Sequence, residues 1–248
     1  MKEKLQPEIN VFSNHDKLSS ALAAYVVRQA ADAVARRGRF CVALSGGSLM
    51  DIIGPPLVTL GGAIDWSAWH IFWADERWVP KESPDSNYNL ANQRLFTHVG
   101  IPAGQIYAAD DALAPEATAQ TYEDAMRNVL EPESGPWPRF DLILLGIGPD
   151  GHTASLFPDH PALHETQRWV LPVTDAPKPP PIRITITLPV INNARSVLFV
   201  AAGDKKAKIL SRVLNPNGKR RSLPSQRVKP SDGELSWFID RAAAAGLV

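Results

Sequence analysis

Phe40-Cys41-Val42-Ala43-Leu44-Ser45-Gly46-Gly47-Ser48 is a wholly apolar run of five residues that breaks into two glycines framed by hydroxyls. An uninterrupted apolar run of strand length reads as a β-strand covered on both faces, the kind found in parallel sheets, and the glycines mark its turn. A helix is expected from about Ser48, failing by Pro55-Pro56 because proline removes a helical donor. Two further runs repeat the pattern. Residues 70–74 end in Asp75-Glu76-Arg77, with a loop expected on to Asp85, and residues 140–145 break into Gly146-Ile147-Gly148-Pro149-Asp150-Gly151-His152. Between them lie helical segments. Residues 18–34 carry apolar positions at helical spacing with Gly38 as stop signal, Ser86 can cap a helix to about Val99, and Pro115 can open one through Leu130 with Glu123 and Arg127 four apart.

Beyond the third run, residues 169–173 and the β-branched stretch Arg183-Ile184-Thr185-Ile186-Thr187-Leu188 read as strands flanking a proline-rich segment. Residues 196–201 form another, followed by Gly203-Asp204-Lys205-Lys206 and a helix to Leu214. Lys219-Arg220-Arg221 reads as a solvated basic cluster, and the chain closes with an apolar stretch at 235–239 and an alanine-rich last helix. Strands alternating with helices, without repeats or a low-complexity linker, predict an α/β fold: one domain over residues 1–248 with a mainly parallel sheet flanked by helices. In such sheets ligands gather at the carboxyl ends of the strands.

Composition narrows the function. Among 248 residues, 26 Lys and Arg balance 26 Asp and Glu, so no global basic field exists to hold nucleic acid or an anionic membrane, and any anion site must be local. The single cysteine, Cys41, has no intramolecular partner and sits inside an apolar strand, where it reads as a small buried hydrophobe. The N-terminal Met1-Lys2-Glu3-Lys4-Leu5 has mixed charge, and no run approaches the ~18 apolar residues of a spanning helix, so a cytoplasmic protein is expected.

Three polar turns carry candidate chemistry. Ser45, Gly46, Gly47 and Ser48 stand between a strand and a helix N-terminus, where free backbone N–H groups favour an anion, although a plain turn has the same composition. The loop lacks the Lys-[Ser/Thr] of a nucleotide P-loop. Asp75, Glu76 and Arg77 offer a carboxylate that can hold a hydroxyl or a water and a guanidinium suited to phosphate or an oxyanion; read alone, they also fit a solvated charge cluster. His152 follows a strand-end glycine turn with Asp150 two residues before it, a general base with an orienting carboxylate. The other histidines (His15, His70, His98, His160 and His164) lack such a setting and read as surface or core residues.

Together these segments resemble the 6-phosphogluconolactonase family. The likeness rests on Leu44-Ser45-Gly46-Gly47-Ser48, Asp75-Glu76-Arg77 with Ser86-Asn87-Tyr88, residues 145–158 around Asp150-Gly151-His152, and Arg183-Ile184-Thr185-Ile186-Thr187-Leu188-Pro189. Lys178-Pro179-Pro180-Pro181 and Trp237-Phe238 fit its eukaryotic branch. The resemblance implies a modified Rossmann-like fold shared with glucosamine-6-phosphate deaminase and ribose-5-phosphate isomerase. It implies hydrolysis of a sugar-phosphate lactone, 6-phospho-D-glucono-1,5-lactone, in the oxidative pentose phosphate pathway, without metal or organic cofactor. Carried over, His152 is the general base and Asp75 the acidic residue lining the cleft. Arg77, Arg183 and Lys206 surround the phosphate and oxyanion with the loop at 45–48, and either Lys205 or Lys206 makes the phosphate contact. The oxyanion partner is Arg77 or backbone N–H groups. Related deaminases carry a carboxylate five residues after the histidine, where this chain has Phe157, which disfavours deamination; a sugar-phosphate sensor would need an output module not evident in the sequence. Neutral charge and scattered tryptophans fit a monomer, while a sheet edge offers a route to a dimer.

Overall fold

Every strand expected from an apolar run forms. The computed structural model describes residues 7–130, 132–133, 135–215 and 222–247, so the N-terminal Met1-Lys2-Glu3-Lys4-Leu5 and the basic cluster at 219–221 lie outside the described residues. In chain order the elements are β1 (Glu8–Phe12), α1 (His15–Arg37), β2 (Phe40–Leu44), α2 (Ser48–Leu60), β3 (Trp69–Trp73), β4 (Asp75–Arg77), α3 (Asn87–Arg94) and α4 (Pro115–Val129). They continue with β5 (Leu142–Leu145), β6 (Val170–Val173), β7 (Arg183–Ile186), α5 (Leu188–Asn192), β8 (Ser196–Ala201), α6 (Ala207–Leu214), α7 (Pro224–Arg227) and β9 (Glu234–Asp240).

Six strands pair in the order β1-β9-β8-β5-β2-β3, all parallel. Successive side chains of a strand point to opposite faces, and both faces here are covered. Phe40, Val42 and Leu44 of β2 join Ile71, Leu142, Leu144 and Leu198 in a core closed by α1 and α2. Cys41 and Ala43 face the other way with Phe72, Ile143, Leu145 and Phe199, under α4 and α6. Each of these large apolar side chains contributes roughly 1.5–3 kcal/mol through burial.

Several expectations are corrected. Helix α2 does not fail at Pro55-Pro56 but runs to Leu60. Pro56 cannot donate to the carbonyl of Ile52, and the hydroxyl of Ser19 on α1 donates to that oxygen instead at 2.5 Å, while Ile52, Ile53 and Leu57 are buried. Helix α3 stops at Arg94 rather than near Val99, giving way to a short 3-10 turn at Phe96–His98. The alanine-rich segment at the end is only a 3-10 turn, Ala243–Gly246. Strand β1, an edge strand with Ile9 and Val11 exposed, escaped the reading of apolar runs.

The largest correction concerns Asp75-Glu76-Arg77, which is a strand and not a loop. After Ala74, whose N–H still bonds Leu44 O of the main sheet, the chain crosses into a second, antiparallel sheet ordered β4-β7-β6. That small sheet stands beyond the carboxyl end of β3, so its residues reach the region where ligands of a parallel sheet bind. Among the described residues no helix is long and apolar enough to cross a membrane.

Candidate active site

From β2 the chain proceeds outward to β3, whereas from β5 it proceeds the opposite way to β8. The two adjacent strands β2 and β5 thus flank a topological switch point, the position at which open α/β sheets bind ligands. The loop at 45–48 follows β2, the turn at 146–152 follows β5, and Lys206 follows β8.

The turn after β5 is closed by Gly148 N–H to His152 O at 2.9 Å, Gly151 N–H to Gly148 O at 2.9 Å, and Thr153 Oγ1–H to Gly146 O at 3.0 Å. It folds the His152 ring onto Asp150, with Nδ1 and Oδ1 2.5 Å apart. Lys178, from the proline-rich segment, stands 3.2 Å from the other oxygen of Asp150 and 3.4 Å from His152 Nδ1. Partial burial pushes the Asp150 carboxyl up, but the hydrogen bond and charge of His152, then Lys178, outweigh it and hold the group well below the usual carboxylate range. With Nδ1 donating to Asp150, Nε2 of neutral His152 is the basic nitrogen. Phe157 packs against the imidazole, ring centroids 4.8 Å apart.

Contacts tie the other segments to this turn. Asp75 is buried, and its Oδ2 accepts from Ser155 Oγ at 2.7 Å. Its carbonyl accepts from Asn87 Nδ2 at 2.7 Å, and the Asn87 amide lies so close over Gly46 that a Cβ there would stand 1.7 Å from Oδ1, which is why position 46 takes glycine. Glu76 turns away from the cleft and organises it from behind. Its carboxylate accepts from the backbone N–H groups of Arg77, Asn87 and Tyr88, each at 2.7 Å, and so caps α3. Burial pushes the Glu76 carboxyl up to about 7 against those hydrogen bonds.

Arg77 and Arg183 are direct partners across the β4–β7 ladder. Like charges opposite one another in a ladder are unfavourable, and here the pair is offset by Asp75, Asp85 and Glu76, whose charges all favour the Arg183 cation. Arg77 Nη1 donates to Asp85 O at 2.6 Å while its Nε is buried without a partner among the described residues. Arg183 spends Nε on Pro180 O at 2.6 Å and Nη2 on Lys178 O and Pro179 O at 3.2 and 3.1 Å, thereby holding the segment that carries Lys178. Of the two neighbouring lysines, Lys205 is exposed and Lys206 reaches the turn, donating from Nζ to Ile147 O at 2.6 Å. Burial, and then nearby Lys178, push its ammonium down. Among the described residues Ser45 Oγ and Asn87 Oδ1 are also buried without partners, and Gly47-Ser48 opens α2 with no side-chain cap. The first N–H groups of an α-helix have no intrahelical partner and are of the kind that favours an anion.

Of the residues singled out in the sequence, Asp150 and His152 pair directly, Asp75 joins their turn through Ser155, Lys206 through Ile147 and Arg183 through the Lys178 segment, with Arg77 opposite Arg183 and Gly46 beneath Asn87. Ser45, Gly47 and Ser48 follow β2 at the same sheet edge, whereas Glu76 caps α3 and Lys205 is exposed. The fold leaves His70 beside Tyr107 and His160 beside Asp175. Lys178 and Asn87 were not singled out individually. Their only signal was membership of the Lys178-Pro179-Pro180-Pro181 and Ser86-Asn87-Tyr88 blocks, because each acts on a residue distant in the chain.

Known proteins resemble the chain over most of its length. Residues 13–237 match the family model described as glucosamine-6-phosphate isomerases/6-phosphogluconolactonase. A probable 6-phosphogluconolactonase 4, chloroplastic, of Oryza sativa subsp. indica is 43% identical over 251 residues, covering 97% of this chain and 76% of that protein. The 6-phosphogluconolactonase of Homo sapiens is 43% identical over 240 residues, covering 95% and 92%. Among solved structures, the 6-phosphogluconolactonase of Trypanosoma brucei superposes with a TM-score of 0.85 at 29% identity, covering 98% of this chain and 99% of that one. The modified Rossmann-like sheet, the motifs at its carboxyl edge and this near end-to-end likeness have one reading: the chain belongs to the glucosamine-6-phosphate isomerase/6-phosphogluconolactonase family.

Proposed function

We propose that the protein hydrolyses 6-phospho-D-glucono-1,5-lactone to 6-phosphogluconate, the lactonase step of the oxidative pentose phosphate pathway. The observation that carries this reading is the Asp150–His152 pair at 2.5 Å, backed by Phe157 rather than by a carboxylate. A lactone carbonyl is already electrophilic, so an activated water and a partner for the oxyanion suffice. Water attacks C1 as its proton passes to His152 Nε2, forming the new C–O bond and an oxyanion. The oxyanion then collapses, the bond from C1 to the ring oxygen breaks, and the imidazolium returns its proton to that oxygen. Asp150 orients the ring and balances its charge. We assign the oxyanion to Arg77, which lies opposite Arg183 and whose Nε has no partner among the described residues. Asp75, fixed by Ser155, is suited to hold a sugar hydroxyl.

The phosphate is assigned to Lys206 and the N-terminus of α2 with residues 45–48. Remote from C1, it supplies binding energy that fixes the lactone in register. Deamination of glucosamine-6-phosphate is disfavoured because Phe157 occupies the position of the deaminase carboxylate. The test is an assay on freshly prepared lactone. Hydrolysis well above the spontaneous rate, insensitive to chelators and without ammonia release from glucosamine-6-phosphate, is expected. Chelator-sensitive turnover, or deamination at a comparable rate, overturns the proposal.

A further inference from the structure

We infer that Lys178 is a positioning residue for the proposed hydrolysis, acting through Asp150 to keep His152 a neutral, correctly oriented base. The inference rests on the lactonase reading for its kinetic consequences but on geometry for its substance. Asp150 has two carboxylate oxygens and two partners. Oδ1 takes the His152 ring at 2.5 Å and Oδ2 takes the Lys178 ammonium at 3.2 Å. With Oδ2 engaged, the carboxylate cannot swing around its terminal torsion without losing an ion pair, so Oδ1 stays on Nδ1 and Nε2 stays the basic nitrogen.

The ammonium also stands 3.4 Å from Nδ1. Both atoms are donors when Asp150 accepts from the ring, so this approach is a charge placed beside the imidazole and not a hydrogen bond. A cation there opposes the imidazolium, while Asp150 favours it. The charged groups around the ring are therefore Asp150 from its own turn, Lys178 from the proline-rich segment and, behind them, Lys206 after β8, which is close enough to feel both. Asp75 of β4 is tied to the same turn through Ser155, and Phe157 packs against the ring.

Lys178 is held in this position by its own main chain. The carbonyls of Lys178, Pro179 and Pro180 all accept from the Arg183 guanidinium, which is buried in β7. Arg183 thus acts on the histidine at two removes, by fixing the segment from which Lys178 reaches back.

Lys178→Met and Lys178→Arg separate this role from substrate binding. The side chain is 38% exposed on a loop, so the variants are expected to fold with an unchanged melting temperature, and Lys178→Gln serves if the methionine variant does not. Kinetics of lactone hydrolysis across pH should show kcat for Lys178→Met reduced about tenfold, KM within about twofold, and the acid limb of kcat/KM moved up by about half to one pH unit. Lys178→Arg should restore most of the rate. Independently of turnover, the NMR titration midpoint of His152 should rise in Lys178→Met by a similar amount. A raised KM with an unmoved acid limb would make Lys178 a substrate contact and overturn the inference, as would an unmoved NMR midpoint. A wild-type protein inactive on the lactone would sink the functional reading, and the NMR comparison would still decide the role of Lys178.

Discussion

The imidazole of His152 lies directly over the Cα of Gly148: a Cβ at position 148 would stand 2.0 Å from His152 Cε1 and 2.1 Å from Nδ1. Position 148 is therefore glycine because of what lies above it. Ordinary carbon contacts begin near 3.5 Å, so any side chain here must expel the ring.

The nearest atoms in the way belong to a side chain able to rotate, so Gly148→Ala should fold and displace the proposed base. We expect kcat to fall by about 10²-fold, as for loss of a positioned base, with KM and melting temperature little changed. Parallel kinetics and thermal melts check this. A variant with near-normal kcat would mean that the ring finds a second productive position.

His152→Asn should likewise fold and still bind 6-phosphogluconate, while kcat falls by roughly 10²- to 10⁴-fold. A strand-end turn is surface structure, and His152 is partly exposed, so stability should survive the change. A stable variant with kcat within a factor of about three of wild type would remove His152 from the mechanism.

How much of this could be read from the chain depends on where each constraint originates. Strands β2, β3, β5 and β8 were legible because burial on both faces leaves near-continuous apolar runs, and the turns at their ends are local features of the same segments. The antiparallel sheet was not, because Arg77 meets Arg183 only through the fold and neither strand announces the pairing. Helix α2 outlasts its prolines with a hydroxyl from Ser19, 33 residues before the Ile52 carbonyl it serves. The site followed the same division. Asp150 and His152 are two residues apart and were found together, whereas Lys178 joins them across 26 residues. Edge strand β1 exposes Ile9 and Val11 and depends on pairing with β9, so its own pattern was weak.

Ser19→Ala tests the account of α2. Removing the hydroxyl leaves the Ile52 carbonyl without the donor that replaces the missing N–H of Pro56. A loss of about 1–2 kcal/mol in urea unfolding is expected, with lactonase kinetics little changed because the contact joins α1 to α2 and involves none of the residues assigned to the substrate. An unchanged midpoint would mean that packing alone carries the helix past its prolines.

The Asp150 carboxyl predicts a pH dependence of stability. Its value in the folded protein is depressed below the ordinary 3.8. A carboxyl depressed on folding contributes stability that is present above the unfolded value and lost as pH falls toward the folded one. The gap in urea midpoint between wild type and Asp150→Asn should therefore be full near pH 5 and close progressively at more acid pH. A gap that widened on acidification would show that the group is not held in its charged form by His152 and Lys178.

Phosphate recognition supplies the last expectation, because a chain with no net charge must build its anion site from few residues. Lys206 and Arg183 should fail in different ways. Lys206 gives one hydrogen bond to Ile147 O and otherwise faces the turn, so Lys206→Ala should chiefly raise KM. The expected loss is about 1.5–3 kcal/mol, the value of a charge-assisted hydrogen bond, which is roughly a 10- to 150-fold rise in KM. Arg183 is buried and holds three carbonyls of the segment bearing Lys178. Arg183→Ala should therefore raise KM and also lower kcat and the melting temperature, since the freed segment no longer presents Lys178 to Asp150. Unphosphorylated gluconolactone should be a poor substrate for the wild type and should lose little further with Lys206→Ala, because the contact removed is one it never made. Equal kcat/KM for the two lactones, or a Lys206→Ala effect as large on the unphosphorylated one, would place the phosphate elsewhere on the sheet edge.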